Sequence, residues 1–273
     1  MKQPWGHVFS FEEIKAAVEK YKPNVLALVH AETSTGACQP FDGVGELCRK
    51  HNCLLIADCV TSISGVPLYL DKWGVDAAYA GTQKALSCPP GVAPLSFSPR
   101  AMAKLMNRKT PVANWYLDMR MIAQYLTAGS GGAPRSYHHT APISMCYALR
   151  EALELVTEEG LAKRWARHRE VAEVFWKQIE ALGLEMLVAH DYRLPTLTTI
   201  KVPPGIDSKK VVTYILERFE IEIGNGLGEL AGKAWRIGLM GCNARHDIAL
   251  LIVAALKEAL QAQGYKVPPR ARL

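Results

Sequence analysis

Apolar runs of strand length alternate with amphipathic stretches through the first half of the chain. Such alternation predicts strands joined by helices, and therefore a mostly parallel sheet of the α/β class. The strands are predicted at residues 24–30, 54–58, 77–81 and 93–97, and a helix at 42–51. Because ligands of parallel sheets bind beyond the carboxyl ends of the strands, the residues that end or follow these runs are the first candidates for a functional site.

The pattern of the second half predicts a different kind of unit. Apolar residues recur at helical spacing between Ser144 and Leu182, and Gly160 interrupts them, which predicts two helices or one long helix broken at that point. Shorter runs follow, with strands predicted at 197–202, 221–223 and 234–237 and helices at 208–219 and 245–261. We therefore predict a partial large domain over residues 1–164 and a smaller C-terminal α+β domain over residues 165–273.

Composition and charge argue against several classes of protein. Of the 273 residues, 49% are hydrophobic, which is enough for a substantial core. The net charge of +6 comes from 32 basic and 26 acidic residues dispersed along the chain, which argues against a nucleic-acid partner. The longest apolar run, residues 248–256, is too short to cross a membrane. Seven cysteines without a Cys-x-x-Cys pair predict neither a disulfide framework nor a zinc site.

Two charged residues stand where strands of the predicted sheet end. Asp58 completes the apolar run Leu54–Asp58, and Lys84 follows the next run by a few residues. A buried carboxylate needs a partner, and a lysine and a carboxylate at strand ends are what pyridoxal phosphate chemistry requires. The lysine forms a Schiff base with the cofactor, and the carboxylate holds a proton on the pyridine nitrogen. A surface lysine and a turn-capping aspartate remain the alternatives from these residues alone.

Five motifs occur in an order that resembles one family. Together they resemble the alanine–glyoxylate (serine–pyruvate) aminotransferases, class V aminotransferases of the fold-type I pyridoxal phosphate enzymes. The motifs are His30–Gly36 (HAETSTG), Ile56–Asp58 (IAD), Gly81–Ala85 (GTQKA), Tyr137–Thr140 (YHHT) and Trp235–Asn243 (WRIGLMGCN). The resemblance implies transfer of an amino group from alanine or serine to glyoxylate or pyruvate, so the expected substrates are amino acids and 2-oxo acids.

The resemblance also implies roles for single residues around the cofactor. Val60, two residues after Asp58, points the same way by strand alternation and is expected to pack against the ring. Thr33 is expected near the ring hydroxyl, where the family usually has serine, and Gln83 is expected at the phosphate. Arg236 is expected to bind the substrate carboxylate with two hydrogen bonds, a geometry that suits a guanidinium group.

The resemblance implies that Tyr137 and Thr140 reach the cofactor of a neighbouring subunit, which predicts a homodimer with shared active sites. A metal reading of the same motif is disfavoured. His138 and His139 are adjacent, so their side chains are expected to diverge, and no second group of ligands is evident in the sequence. We therefore predict no metal ion at this position.

One departure from the family pattern leaves a second hypothesis open. The family carries a glycine- and serine-rich loop that binds the cofactor phosphate, before the region that this sequence covers. Without that loop we expect weaker cofactor binding, so the alternative is a catalytically impaired form that acts at most as a binding or dimerising fragment. A third alternative is a cysteine desulfurase-like enzyme. Those usually have histidine directly before the lysine, where this chain has Gln83.

Two further motifs bear on cofactor type and location. Residues 226–231 fit a dinucleotide-binding pattern of glycines, but the segment that follows looks like a strand rather than the helix that such a site needs. The last three residues, Ala271-Arg272-Leu273, are a variant of the Ser-Lys-Leu peroxisomal address. We expect a peroxisomal enzyme, with the cytoplasm and mitochondria as alternatives.

Overall fold

The large part of the chain is built on a four-stranded sheet. The computed structural model describes residues 1–127 and 137–269. The four strands of its first sheet are β1 (Val25–Val29), β4 (Leu54–Asp58), β5 (Ala77–Tyr79) and β6 (Leu95–Phe97). Their order in the sheet is β1-β4-β5-β6. Strand β4 pairs in parallel with both β1 and β5, and β6 is antiparallel to β5. The predicted mostly parallel sheet is therefore confirmed, although each strand except β4 is shorter than expected.

Two helices cover one face of this sheet. They are α1 (Phe11–Tyr21) and α2 (Val44–Lys50), and their buried residues join Leu55, Ala57 and Ala78 in one core. Ser10 begins α1 with a capping box, because its hydroxyl accepts from the Glu13 N–H at 3.2 Å and the Glu13 carboxylate accepts from the Ser10 N–H at 2.8 Å. Successive strand residues face opposite sides, so Asp58 lies on the face away from this core.

The middle of the chain is helical, and its break lies where the glycine predicts it. The helices are α3 (Pro99–Met106), α4 (Met119–Thr127), α5 (Ile143–Glu159) and α6 (Leu161–Ala181). Gly160 separates α5 from α6 at a φ of +80°, a backbone conformation that is unfavourable for residues with a Cβ atom. A short hairpin, β2 (Ala31–Glu32) with β3 (Ala37–Cys38), follows β1 and carries Thr33 in its turn.

The C-terminal part is the α+β unit that the pattern predicts. An antiparallel sheet of order β7-β9-β8 packs with α6 and two later helices, around Phe175, Trp176, Ile179, Trp235 and Leu256. The strands are β7 (Leu197–Lys201), β8 (Gly224–Asn225) and β9 (Ala234–Gly238), and the helices are α7 (Ser208–Phe219) and α8 (His246–Gln261).

The strand predicted at 221–223 is wrong. Glu220 ends α7 in the left-handed conformation, and the chain reaches hydrogen-bonding distance of β9 only at Gly224 and Asn225. Ile223 is buried in the core beside α7 although it belongs to no strand. Its apolar side chain made residues 221–223 resemble a strand in the sequence. The glycine-rich segment that follows leads into β9, close to the strand predicted at 234–237.

The boundary predicted between residues 164 and 165 falls inside α6. That helix packs against α8 and also contacts the loop after β5 through Arg164, so it touches both parts of the molecule. The domain division therefore stays a prediction. Within the described ranges 1–127 and 137–269, no helix combines the length and the apolar character needed to cross a membrane.

Candidate active site

Asp58 is held at the end of β4 by two hydrogen-bond donors. The backbone N–H of Val60 donates to Oδ1 at 2.9 Å, and the hydroxyl of Tyr79 donates to Oδ2 at 2.7 Å. Asp58 and Tyr79 are direct partners in the parallel pairing of β4 with β5, which brings the two side chains to one edge of the sheet. The hydrogen bond to Asp58 raises the pKa of Tyr79 to about 12. The sequence analysis did not identify Tyr79; the strand register is the signal that would have found it.

Gly81 brings Val60 and Gln83 close together beyond the end of β5. A Cβ atom at Gly81 would lie 2.8 Å from Oε1 of Gln83 and 3.2 Å from Cγ1 of Val60, closer than ordinary contacts allow. Two of the predicted site residues therefore flank one glycine, next to the loop that carries Lys84.

The loop that carries Lys84 is closed by its own hydrogen bonds. The buried hydroxyl of Thr82 donates to the carbonyl oxygen of Pro89 at 2.7 Å. The backbone N–H of Ser87 donates to the backbone carbonyl oxygen of Lys84 at 2.9 Å. The side chain of Lys84 is half-buried, and within the described part of the chain its amine makes no hydrogen bond or ion pair. A rigid backbone thus holds a lysine whose amine is not engaged by any described group.

A second set of contacts fixes this loop to α6. The buried guanidinium of Arg164 donates to the carbonyl oxygen of Ala85 at 2.7 Å and to Glu159 at 2.7 Å. Hydrogen bonds from Arg167 and Arg164 lower the pKa of Glu159 to about 2. The sequence analysis missed Arg164. It precedes His168 and Phe175 on the buried face of α6, and a charged residue on an apolar face is the available signal.

Arg236 joins the C-terminal sheet to the turn that contains Thr33. Its Nη1 donates to the backbone carbonyl oxygen of Thr33 at 3.0 Å, and its Nε donates to that of Asn225 at 2.9 Å. A guanidinium group has five N–H donors, so three have no partner among the described residues. The structure therefore brings together two predicted site residues that are 203 positions apart in the chain.

Tyr137 and Thr140 form a separate pair. Their hydroxyl groups are hydrogen-bonded to each other, and Tyr137 is 72% exposed. Within residues 1–127 and 137–269, no hydrogen bond or ring contact connects either residue to Asp58, Lys84 or Arg236. Any contact of these hydroxyls with a cofactor in a neighbouring subunit stays a prediction.

The histidines between them do not diverge as expected. Their Nδ1 atoms are 2.8 Å apart, and the ring of His138 stacks on that of Trp115 with the ring centroids 4.0 Å apart. His138 Nε2 also lies 3.2 Å from the carbonyl oxygen of Trp115. Across the described residues there is no group of three or more side chains of the types that bind metal ions.

Comparison with known proteins assigns the family. The profile of aminotransferase class V matches residues 5–251. The chain belongs to the class-V aminotransferases. This class-V chain is 47% identical over 261 residues to the alanine–glyoxylate aminotransferase of Callithrix jacchus, a match that covers 95% of this chain and 62% of the relative. The chain thus spans less than two thirds of the length of that relative.

Solved structures agree with this class-V assignment. An alanine–glyoxylate aminotransferase from Nostoc sp. is 53% identical, with a TM-score of 0.91 over 95% of this chain and 68% of its own. A ureidoglycine–glyoxylate aminotransferase from Bacillus subtilis is 37% identical, with a TM-score of 0.92 over 99% of this chain and 69% of its own. The predicted fold, that of the fold-type I pyridoxal phosphate enzymes, is confirmed.

Proposed function

We propose that this chain carries the catalytic residues of a pyridoxal-phosphate-dependent transamination from alanine or serine to glyoxylate or pyruvate. The observation that supports the proposal most is the unengaged amine of Lys84 on a loop that is closed by hydrogen bonds, beyond the strand end that holds Asp58. Alanine and glyoxylate are named by two of the relatives described above, and serine and pyruvate are what the family resemblance implies.

The described residues fit pyridoxal phosphate by their chemistry. A carboxylate, an unengaged amine and a guanidinium group with free donors match a pyridine nitrogen, an aldehyde and a substrate carboxylate respectively. When bound, the cofactor supplies a ring that accepts electrons as a proton leaves the substrate α-carbon, and it carries the amino group between the two substrates.

Lys84 has two roles in this proposal. Its Nζ would hold the cofactor covalently, and when that bond is open the same amine would take the proton from the substrate α-carbon. Both roles need an amine that is not committed to a salt bridge. The hydrogen bonds of Thr82, Ser87 and Arg164 to the loop keep the backbone in place while the side chain moves.

With the cofactor bound, Asp58 would hold a proton on the pyridine nitrogen, because the carboxylate charge favours the protonated ring. Val60, whose N–H donates to Asp58, would pack its side chain against one face of the ring. Gln83 would contact the phosphate and Thr33 would lie near the ring hydroxyl, as the family resemblance implies. Gln83 lies beside Val60 at Gly81, and Thr33 accepts a hydrogen bond from Arg236, so both belong to the same part of the molecule as the other candidates.

Arg236 binds the carboxylate group of the substrate. Its hydrogen bonds to Thr33 and Asn225 fix the plane of the guanidinium group and leave donors for a second, charged acceptor. The substrate carboxylate would thereby be held beside the turn that carries Thr33, which fits the expected position of the cofactor ring.

The active unit that we propose is a homodimer with shared sites. The exposed hydroxyl pair of Tyr137 and Thr140 has no described partner in the site of its own chain, which suits a role in the site of a second copy. The address triplet Ala271-Arg272-Leu273 lies outside the described residues, so the peroxisomal location stays a prediction.

The two alternatives differ from transamination in what a simple assay shows. Gln83 stands directly before the lysine, which disfavours the cysteine desulfurase alternative. Release of sulfide when cysteine is added would favour that alternative over transamination. The fragment alternative predicts that the chain forms no stable adduct with the cofactor.

The test is a half-reaction followed by absorbance. The purified chain is mixed with pyridoxal phosphate, and alanine, serine or cysteine is then added in the absence of an acceptor. We expect an adduct band that disappears with alanine or serine, releases pyruvate or hydroxypyruvate, and returns on adding glyoxylate. A chain without an adduct band, or with a band that no amino acid changes, would contradict the proposal. Lys84→Ala is the control, because it keeps the fold and removes the amine.

A further inference from the structure

We propose that Tyr79 is a positioning residue that fixes the orientation of the Asp58 carboxylate for the cofactor ring. The inference rests on the proposed function, since it is the cofactor that uses this orientation. Tyr79 lies directly opposite Asp58 in the pairing of β4 with β5, and its hydroxyl donates to Oδ2 at 2.7 Å. The other oxygen, Oδ1, accepts from the N–H of Val60 at 2.9 Å.

Two donors on different oxygens determine the rotation of a carboxylate. The terminal torsion of aspartate is broad when nothing restrains it, so one hydrogen bond alone leaves the group free to rotate. Here one donor belongs to the backbone that follows β4 and the other to the neighbouring strand. The carboxylate plane is therefore set by the sheet before any ligand arrives, and binding does not have to order it.

The hydrogen bond from Tyr79 has a carboxylate as its acceptor. A charged acceptor makes a hydrogen bond stronger than a neutral one. This hydrogen bond raises the pKa of Tyr79 to about 12, because loss of the phenol proton would remove the bond and leave two negative charges side by side. Tyr79 therefore remains a donor at neutral pH.

A purely structural role for the Tyr79 hydroxyl is poorly supported. The ring is 39% exposed, whereas its strand neighbours Ala78 and Ala80 are buried in the core on the opposite face. Among the described residues Asp58 is the only hydrogen-bond partner of the hydroxyl. Replacement by phenylalanine keeps the ring and removes only this contact.

The first test compares Tyr79→Phe with Tyr214→Phe. Tyr214 donates to the carboxylate of Glu258 at 2.8 Å, the same type of contact in another part of the molecule. We expect Tyr79→Phe to raise the dissociation constant of pyridoxal phosphate about tenfold, the loss that corresponds to about 1.4 kcal/mol, and Tyr214→Phe to leave it unchanged. Equilibrium dialysis measures both. Equal dissociation constants for Tyr79→Phe and the unaltered chain would overturn the inference.

The second test needs no cofactor, so it separates failure of this inference from failure of the proposed function. Tyrosine labelled with ¹³C at the carbon that bears the hydroxyl is titrated by NMR, with the Tyr79 signal assigned by its loss in Tyr79→Phe. We expect the pKa of Tyr79 to fall from about 12 toward 10 in Asp58→Asn. A Tyr79 signal that titrates identically in both chains would show that the two groups are not coupled, and would overturn the inference even if the cofactor binds.

Discussion

The guanidinium group of Arg236 donates a hydrogen bond to the backbone carbonyl oxygen of Thr33 at 3.0 Å. Arg236 belongs to β9 of the C-terminal sheet, and Thr33 belongs to the turn between β2 and β3 beside the first sheet. This contact connects the proposed carboxylate-binding residue to the segment expected beside the cofactor. In the proposed function, a substrate bound by Arg236 of the C-terminal sheet would therefore lie close to the edge of the first sheet that carries Asp58.

The first prediction concerns the donors of Arg236. Arg236→Lys keeps the charge but loses the planar arrangement that serves Thr33, Asn225 and a carboxylate together. We expect the alanine concentration needed for half-maximal bleaching of the adduct to rise about tenfold to a hundredfold, the range for a lost charged hydrogen bond, with cofactor affinity unchanged.

The matched control for that substitution is Arg245→Lys. Arg245 is exposed and pairs with Asp247, which is also exposed. It should leave the alanine dependence as it is. If both variants respond to alanine like the unaltered chain, Arg236 does not bind the substrate carboxylate.

The second prediction concerns the hydrogen bond that fixes the lysine loop to α6. Arg164→Ala leaves the carbonyl oxygen of Ala85 without its donor and removes one of the two arginines beside Glu159. Because Arg167 still pairs with Glu159, the loss comes mainly from the carbonyl oxygen left without a donor, which costs about 1 to 3 kcal/mol of unfolding free energy. Chemical denaturation of the chain without cofactor measures this loss.

Arg245→Ala is the control. Arg245 pairs with Asp247 at the surface, and an exposed ion pair contributes less than about 1 kcal/mol. Equal losses from the two substitutions would mean that the contact of Arg164 with the loop has no special role in stability.

The third prediction concerns pH. Burial lowers the pKa of His30 and of His168 from 6.5 to about 4, and the neutral ring of His168 accepts a hydrogen bond from the N–H of Gly241 at 2.8 Å. Between pH 4 and 6.5 the unfolded chain therefore binds more protons than the folded chain, and the unfolding free energy rises with pH.

Each histidine contributes at most about 1.4 kcal/mol per pH unit across that window. Denaturation measured at several pH values should show a stability that falls as the pH decreases from 6.5 toward 4. In His168→Gln the dependence should be shallower over the same window. A pH profile that this substitution does not change would contradict the assignment of His168 as a buried neutral ring.

The fourth prediction tests whether two chains share each site. Chains with Lys84→Ala and chains with Tyr137→Phe plus Thr140→Ala are each expected to be nearly inactive. In a mixed dimer, one of the two sites regains both the lysine and the hydroxyl pair, so a statistical mixture should recover about a quarter of the unaltered activity. The two variant chains are mixed in equal amounts, mildly unfolded and refolded together. The alanine half-reaction of the mixture then measures the recovered activity. A mixture as inactive as its components would contradict shared sites.

The sequence predicted the parts of the fold that depend on local pattern. The break at Gly160 and the bounds of α7 follow from helical periodicity and turn residues, and the ends of β4 follow from one apolar run. The predicted strand at 221–223 was wrong because burial of Ile223 imitates a strand in so short a segment.

Contacts between distant segments could not be predicted in the same way. Tyr79 meets Asp58 only through the register of two strands, and Arg164 meets Ala85 across 79 positions. Neither pairing has a signature within a single stretch of sequence. The roles of the candidate residues came from motifs of the family. These roles stay predictions until cofactor binding is measured.

The central claim is that Lys84 is the residue that binds the cofactor covalently. The most direct measurement is reduction of the chain with borohydride in the presence of pyridoxal phosphate, followed by digestion and mass spectrometry of the labelled peptide. We expect a single modification at Lys84, competed by excess alanine and absent in Lys84→Ala. Labelling spread over exposed lysines such as Lys2 and Lys15, with Lys84 unmodified, would contradict it.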